Sequence, residues 1–205
     1  MSEIKNHGKS IRARLLNVAK QEEVFYQTIL TRYFQERLLY RISQTRYREN
    51  FYLKGGALMY AYERFAARPT LDIDFLGTRI SNDGERIAEA FREICSVDCK
   101  EDGVQYDCDK IVTQNITEFK DYHGVRLSIP VTMDTIAQVL TMDVGFGDVV
   151  TPHPVALDYP LLLEGLPEAS ILAYSTETVI AEKMHAIIDL ADQSSRMKDY
   201  YDIYH

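Results

Sequence analysis

The sequence contains no apolar run that approaches the roughly eighteen residues of a membrane-spanning helix. Its amino terminus is polar and charged, and it lacks the apolar segment and the small-residue cleavage site of a secretory signal peptide. These absences predict a protein that neither spans a membrane nor carries an export signal. We therefore expect a cytoplasmic location and no membrane partner.

Cysteine is scarce, with three residues, Cys95, Cys99 and Cys108. An odd number of clustered cysteines without any other disulfide pattern is typical of free thiols in a reducing cytosol. A zinc site formed by these cysteines and His123 is an alternative, although the spacing lacks the Cys-x-x-Cys knuckle of many structural zinc sites. We expect free thiols and no disulfide framework.

The composition is that of a globular protein with a sizeable core. The chain has 205 residues, of which 46% are hydrophobic and 26% charged. Its net charge of -8 hides an asymmetry, because residues 1–50 hold ten Lys or Arg against five Asp or Glu, and the remainder holds thirteen against twenty-six. The first fifty residues predict a basic helical lobe that either holds the backbone of a polyanion or presents an ordinary solvated surface.

Hydrophobic periodicity predicts both helices and strands. Apolar residues recur at helical spacing in segments that begin near residues 11, 22, 84 and 176. Alternation with period two predicts strands at about 104–116, 125–129 and 138–146, which we expect to pair antiparallel beside the strand that ends near residue 77.

These segments divide the chain into three parts. We predict a basic helical lobe at 1–50, a catalytic core at 51–150, and a connector with a helical region at 151–205. The connector is expected at the prolines between residues 151 and 166. The chain ends inside a helical pattern, so we expect it to be a fragment that lacks at least one helix.

Asp72 and Asp74 stand one residue apart in an apolar run. Successive side chains of a strand alternate between faces, so Leu71, Ile73 and Phe75 are expected in the core and both carboxylates side by side on the other face. Paired carboxylates suit a hard cation such as Mg²⁺. The simpler interpretation of Asp-x-Asp alone is a solvated strand face.

Lys54, Gly55 and Gly56 lie where a short apolar strand gives way to a helix. Glycines at a helix start let backbone N–H groups approach phosphate oxygens. Alone, the pair could be an ordinary turn. Followed by the two aspartates, it favours a site for a metal-bound nucleotide.

Two charged residues far along the chain are candidates for the same site. Asp143 lies between Met142 and Val144 on a predicted interior strand, where a carboxylate is costly unless it is paired or bound to metal. It is therefore the expected third metal ligand, the alternative being an exposed strand residue. Lys183 lies within an apolar helix, where a lysine often extends its ammonium to solvent.

Several blocks of sequence together resemble the AbiEii family of nucleotidyltransferase toxins, within the DNA polymerase beta-like nucleotidyltransferase superfamily. The blocks are FYLKGGALM, RPTLDIDFLG, MDVGFGDVVTP and TVIAEKMHAIIDLADQSSRMKDYYDIYH. They follow the family's order and, with the helical start, cover nearly the whole chain. One departure is that the superfamily's usual Gly-Ser pair is Gly55-Gly56 here, so no serine hydroxyl is available to a phosphate. The interval from Gly56 to Asp72 is also longer than usual.

The resemblance implies an α+β fold, a nucleotidyltransferase-like mixed sheet flanked by helices. It implies transfer of a nucleoside monophosphate from a nucleoside triphosphate, with pyrophosphate leaving, and a cognate antitoxin as partner. Some relatives modify the 3′ end of tRNA, which makes RNA the expected acceptor. The resemblance also makes Asp199 an active-site residue.

The expected mechanism needs positive charge around a triphosphate, which two Mg²⁺ ions supply at the attacking and leaving oxygens. We predict that Asp72, Asp74 and Asp143 ligate metal and that Lys183 contacts the triphosphate as a point charge. Lys54, Gly55 and Gly56 complete the nucleotide site. Arg68 and Lys198 are further candidates for phosphate or acceptor contacts, and both could instead be surface charges.

Two alternatives belong to other classes. A metal-dependent glycosyltransferase also binds a metal-nucleotide complex through Asp-x-Asp, but it explains neither the glycine pair nor the Lys183 block. A catalytically silent module that binds nucleotide or an antitoxin would have no use for three carboxylates.

Overall fold

The computed structural model describes residues 7–119, 122–190 and 197–204. Within these ranges, six α-helices accompany the strands. Their bounds are His7–Gln21 (α1), Tyr26–Ser43 (α2), Gly55–Glu63 (α3), Gly84–Cys95 (α4), Thr176–Leu190 (α5) and Met197–Tyr204 (α6). None of the helices in this described part is long and apolar enough to cross a membrane.

Eight strands of the described chain form one mixed sheet. They are Phe51–Lys54 (β1), Asp72–Gly77 (β2), Gln105–Tyr106 (β3), Val112–Phe119 (β4), Tyr122–Met133 (β5), Ile136–Gly145 (β6), Val155–Tyr159 (β7) and Ala169–Ala173 (β8). Their order is β3-β5-β6-β2-β1-β8-β7, and β4 pairs with β5. The predicted mixed sheet flanked by helices is confirmed.

The sheet is mixed because its centre is partly parallel. Strand β2 runs parallel to β6 and antiparallel to β1, and β1 runs parallel to β8. The expected antiparallel pairing is found among β4, β5 and β6, but it is β6 alone that joins this group to β2. The segment expected to be only a connector contains β7, which pairs with β8.

One part of the core lies where α4 packs against β1 and β2. Phe51, Phe75 and Phe91 form one aromatic cluster, with ring centroids 5.0 to 6.5 Å apart. Ile73 is also buried, as alternation predicts, but the expectation for Leu71 is wrong because it is 72% exposed. The strand begins only at Asp72, so Leu71 precedes the alternating region.

The basic character of α2 is not a surface property. Arg32, Arg37 and Arg41 are at most 3% exposed, so neither a solvated basic face nor a grip on a polyanion describes them. Arg32 donates to a backbone carbonyl, as does Arg37, while Arg41 lies 2.7 Å from Asp102. The helix is buried nearly all round, and its guanidinium groups satisfy acceptors of the surrounding loops.

Candidate active site

Four charged side chains lie in register across four neighbouring strands. Lys54 pairs with Asp74, Asp74 with Asp143, and Asp143 with Arg126, on β1, β2, β6 and β5 in turn. Residues in register on adjacent strands project from the same face of a sheet. The order of charge along this row is therefore positive, negative, negative, positive. Asp72 is two residues from Asp74 and shares its face.

The glycine pair fits closely against this row. Gly55 has a φ of +66°, and a Cβ there would lie 2.0 Å from Asp74 Oδ2. A Cβ at Gly56 would lie 2.8 Å from the Cβ of Thr70. Both positions therefore require glycine, the first because of its left-handed backbone as well as its neighbour. The pair opens α3, whose first N–H groups have no carbonyl partner within the helix.

The carboxylates of the row repel one another. Burial raises the pKa of Asp74 to about 6, Lys54 opposes that shift, and the charges of Asp143 and Asp72 add to it. A divalent cation beside these groups would remove the repulsion, and carboxylate oxygens are the ligands that Mg²⁺ takes in proteins. The donor chemistry therefore fits such an ion, and the absence of a side chain at Gly55 leaves room for the Asp74 carboxylate.

Asp143 is held by an arginine that the sequence analysis did not single out. Arg126 donates two hydrogen bonds of 2.7 Å, one to each carboxylate oxygen of Asp143. Among the side chains that the structure describes, no three His, Cys, Asp or Glu groups form a ready metal site. Because Arg126 engages both carboxylate oxygens of Asp143, the three predicted ligands can lie near one another without forming a ready metal site.

Lys54 also forms ion pairs with two acids outside the row. Its ammonium lies 2.8 Å from Asp148 and in close contact with Glu182 on α5. Tyr174 also donates its hydroxyl to Asp148. These contacts attach the end of β1 to α5, and the ammonium group of Lys54 thus lies beside the glycine pair.

Lys183 is buried, whereas an ordinary solvated lysine would extend outward. Its ammonium lies 2.6 Å from Asp202 and 3.6 Å from Asp199, both on α6. Arg68 holds Asp202 through hydrogen bonds of 2.9 and 3.0 Å. Burial alone would raise the pKa of Asp202, but the hydrogen bonds from Arg68 and Lys183 outweigh it and lower that pKa.

One cavity of about 340 Å³ collects nearly all the predicted site residues. Those that line it are Lys54, Gly55, Gly56, Arg68, Asp72, Asp74, Asp143, Lys183 and Asp199. Lys198 is the exception, since its side chain lies outside the described residues. The structure thus brings residues from β1, β2, β6, α5 and α6 to one place.

Sequence reasoning missed the partners of these residues. Arg126 and Glu182 line the cavity, and Asp148 and Asp202 contact its lysines. Glu182 directly precedes Lys183, which was a usable signal. Arg126 gave none, because its role depends on the register between β5 and β6.

The three cysteines form no disulfide. Cys95 and Cys99 are buried and Cys108 is half-buried. A hydrogen bond from the Cys95 thiol lowers the pKa of Cys108 to about 7. They belong to no metal-binding group within the described residues, and the side chain of His123, the fourth candidate ligand for zinc, lies outside them.

Two solved structures share this mixed sheet flanked by helices. A provisionally assigned nucleotidyltransferase from H. pylori has a TM-score of 0.52 and 16% identity, over 86% of this chain and 66% of its own. JHP933 from Helicobacter pylori has a TM-score of 0.54 and 17% identity, over 86% and 64%. At such identities the likeness is one of fold, and the chain spans about two thirds of the length of these proteins.

The chain belongs to the family described as nucleotidyl transferase AbiEii toxin, type IV toxin–antitoxin system, whose profile matches residues 37–205. No curated protein matches the chain. The predicted family is confirmed, and the enzyme class of this family is nucleotidyltransferase. Neither the family match nor the solved structures support the glycosyltransferase alternative.

Proposed function

We propose that this chain transfers a nucleoside monophosphate from a nucleoside triphosphate to an acceptor hydroxyl, as the toxin of its toxin–antitoxin system. The observation that carries the proposal is the row of Lys54, Asp74 and Asp143, with Gly55 fitted against Asp74 and Lys183 across the same cavity. Together these residues supply carboxylates for a cation, backbone amides for phosphate oxygens, and a buried ammonium for the leaving pyrophosphate.

Each residue then has a distinct task. Asp72, Asp74 and Asp143 hold Mg²⁺, which when bound offsets the charge of the triphosphate and activates the acceptor hydroxyl. Gly55 lets the first amides of α3 approach the phosphates. Lys183, fixed by two acids of α6, neutralises charge on the departing pyrophosphate.

The acceptor in this proposal is RNA, and tRNA is the first candidate. Family membership supports a nucleotide substrate and a cognate antitoxin. The proposal places the reaction in the cytoplasm, where Cys95, Cys99 and Cys108 would remain the free thiols that the structure shows.

Transfer of label provides the test. The protein and Mg²⁺ are incubated with each α-labelled nucleoside triphosphate and with total RNA, purified tRNA or a protein extract, and acceptors are separated on gels. We expect labelled RNA and released pyrophosphate from the wild type and neither from Asp74→Asn. Asp158→Asn, at an exposed acid on β7, is the matched control and should transfer normally.

Stability distinguishes a functional loss from a folding failure. Asparagine at position 74 removes a charge whose burial and acidic neighbours are unfavourable, so the melting temperature should hold or rise. Normal transfer by Asp74→Asn would refute the metal assignment. Wild-type protein that labels none of the acceptors would instead favour a silent binding module.

A further inference from the structure

Arg126 is a candidate for a second role in the cavity. It reaches the site from β5 and takes both oxygens of Asp143. This is the geometry in which arginine also grips phosphate, since a planar fork of donors matches either oxyanion. Asp143 therefore holds in place a group that is built to bind phosphate.

The ion pair between Arg126 and Asp143 is partly exposed to solvent, so another ligand can replace either partner. The side chain of Arg126 is 43% exposed and that of Asp143 is 22% exposed, so water screens the pair. A divalent cation bound among Asp72, Asp74 and Asp143 would compete for the same oxygens and repel the guanidinium. Arg126 would then turn to another anion within reach of the cavity that it lines.

The position of Arg126 decides which anion that is. Lys54 and the glycine pair are at the β1 end of the row, and Arg126 is at the β5 end. Three strand spacings separate the two ends, about 14 Å. The triphosphate of the proposed reaction lies at the glycine end. The β5 end is therefore the side from which an acceptor would approach.

We propose that Arg126 exchanges the Asp143 carboxylate for a phosphate group of the acceptor strand when a divalent cation binds Asp143. This inference rests on the proposed function for the identity of the acceptor. It makes metal binding a condition for full acceptor binding, and it makes Arg126 a binding residue rather than a structural one.

The test measures binding rather than turnover. Mn²⁺ affinity is read from the free-ion EPR signal, and the affinity for a single-stranded RNA oligonucleotide with a 3′ hydroxyl is read by fluorescence anisotropy with and without Mn²⁺. Arg126→Gln should bind Mn²⁺ about fivefold more tightly, because the ion no longer competes with a guanidinium. The same variant should bind RNA about tenfold more weakly with Mn²⁺ present.

Two further variants define the effect. Arg126→Lys keeps the charge without the fork, so both affinities should fall between wild type and Arg126→Gln. Arg12→Gln is the matched control, since Arg12 is 44% exposed in an ion pair with Asp134 at the far end of the β5–β6 hairpin. It should change neither affinity.

Opposite signs for metal and RNA are the signature, because a merely structural role would weaken both. Unchanged or weaker Mn²⁺ binding by Arg126→Gln overturns the exchange. Unchanged RNA binding overturns the phosphate role, and a loss of affinity only for a non-hydrolysable nucleoside triphosphate overturns the assignment to the acceptor. If wild-type protein labels no RNA, the proposed function fails, while the Mn²⁺ measurement still decides the exchange.

Discussion

Replacing Gly55 with alanine tests how closely the turn before α3 fits against the acidic row. A Cβ at this position would lie 2.0 Å from Asp74 Oδ2 and 2.7 Å from its Cγ. The carboxylate would have to retreat by about 1.4 Å to reach an ordinary contact of 3.4 Å. The substitution therefore moves a proposed metal ligand without changing its chemistry.

Two magnitudes follow from this geometry. The left-handed backbone of Gly55 costs an alanine about 1–2 kcal/mol of unfolding free energy. Displacement of a reacting or ligating group by about 1 Å costs on the order of a hundredfold in rate. We expect Gly55→Ala to lose stability, measured by urea unfolding, and transfer rate, measured with labelled nucleotide.

Gly165→Ala separates the two effects. Gly165 also has a positive φ, of +85°, but a Cβ there meets nothing within 4 Å. This variant should lose about the same stability from backbone strain and transfer label at the wild-type rate. If Gly55→Ala transfers as well as Gly165→Ala does, the contact between Gly55 and Asp74 has no part in the reaction.

Three other substitutions have expected outcomes. Lys183→Met removes the ammonium between Asp199 and Asp202, and transfer should fall about 10²–10³-fold in single-turnover assays. Arg41→Met leaves Asp102 buried without its cation, and urea unfolding should show a loss of about 3–5 kcal/mol. Glu36→Gln should flatten the pH dependence of stability. Burial raises the pKa of Glu36 to about 7, so the folded chain binds more protons than the unfolded chain above about pH 4.5. Stability therefore falls as pH rises from there to about 7, by about 3 kcal/mol for this group.

Each of these expectations has a contrary result. Wild-type rates with Lys183→Met would remove the ammonium from the reaction. A loss under about 1 kcal/mol for Arg41→Met would mean that Asp102 finds water or another donor. An unchanged pH slope in Glu36→Gln would show that another group titrates in that window. Asp74 has a shift of the same sign, so some slope should remain in the variant.

The sequence predicted what depends on local periodicity. Ile73 and Phe75 enter the core while Asp72 and Asp74 take the other face, because alternation along a strand is a property of the backbone. Likewise α5 begins at Thr176, where the helical spacing of apolar residues predicted a helix to begin, and Ser175 accepts the capping hydrogen bond from the N–H of Thr178. These features need no knowledge of what packs against them.

The predictions that failed concern residues whose surroundings depend on contacts between distant segments. The arginines of α2 recur at a spacing typical of a solvated face, yet Arg41 is buried because a loop some sixty residues away brings Asp102 to it. The pairing of Arg126 with Asp143 is set by the hairpin register of β5 and β6. Neither partner leaves a local pattern, because a hydrogen bond across the fold requires no periodicity in the sequence.

The distribution of charge across the sheet bears on what the site must bind. Lys54 and Arg126 stand at the two ends of the row, where Lys54 donates to Asp148 and Glu182 and Arg126 donates to Asp143. Asp74, between them, keeps acidic neighbours and a raised pKa. A sheet selected only for stability would place an apolar or neutral residue there, because burying like charges together is unfavourable. Lys54 opposes the raised pKa of Asp74 without cancelling it, so a bound cation would be a further source of positive charge for these acids.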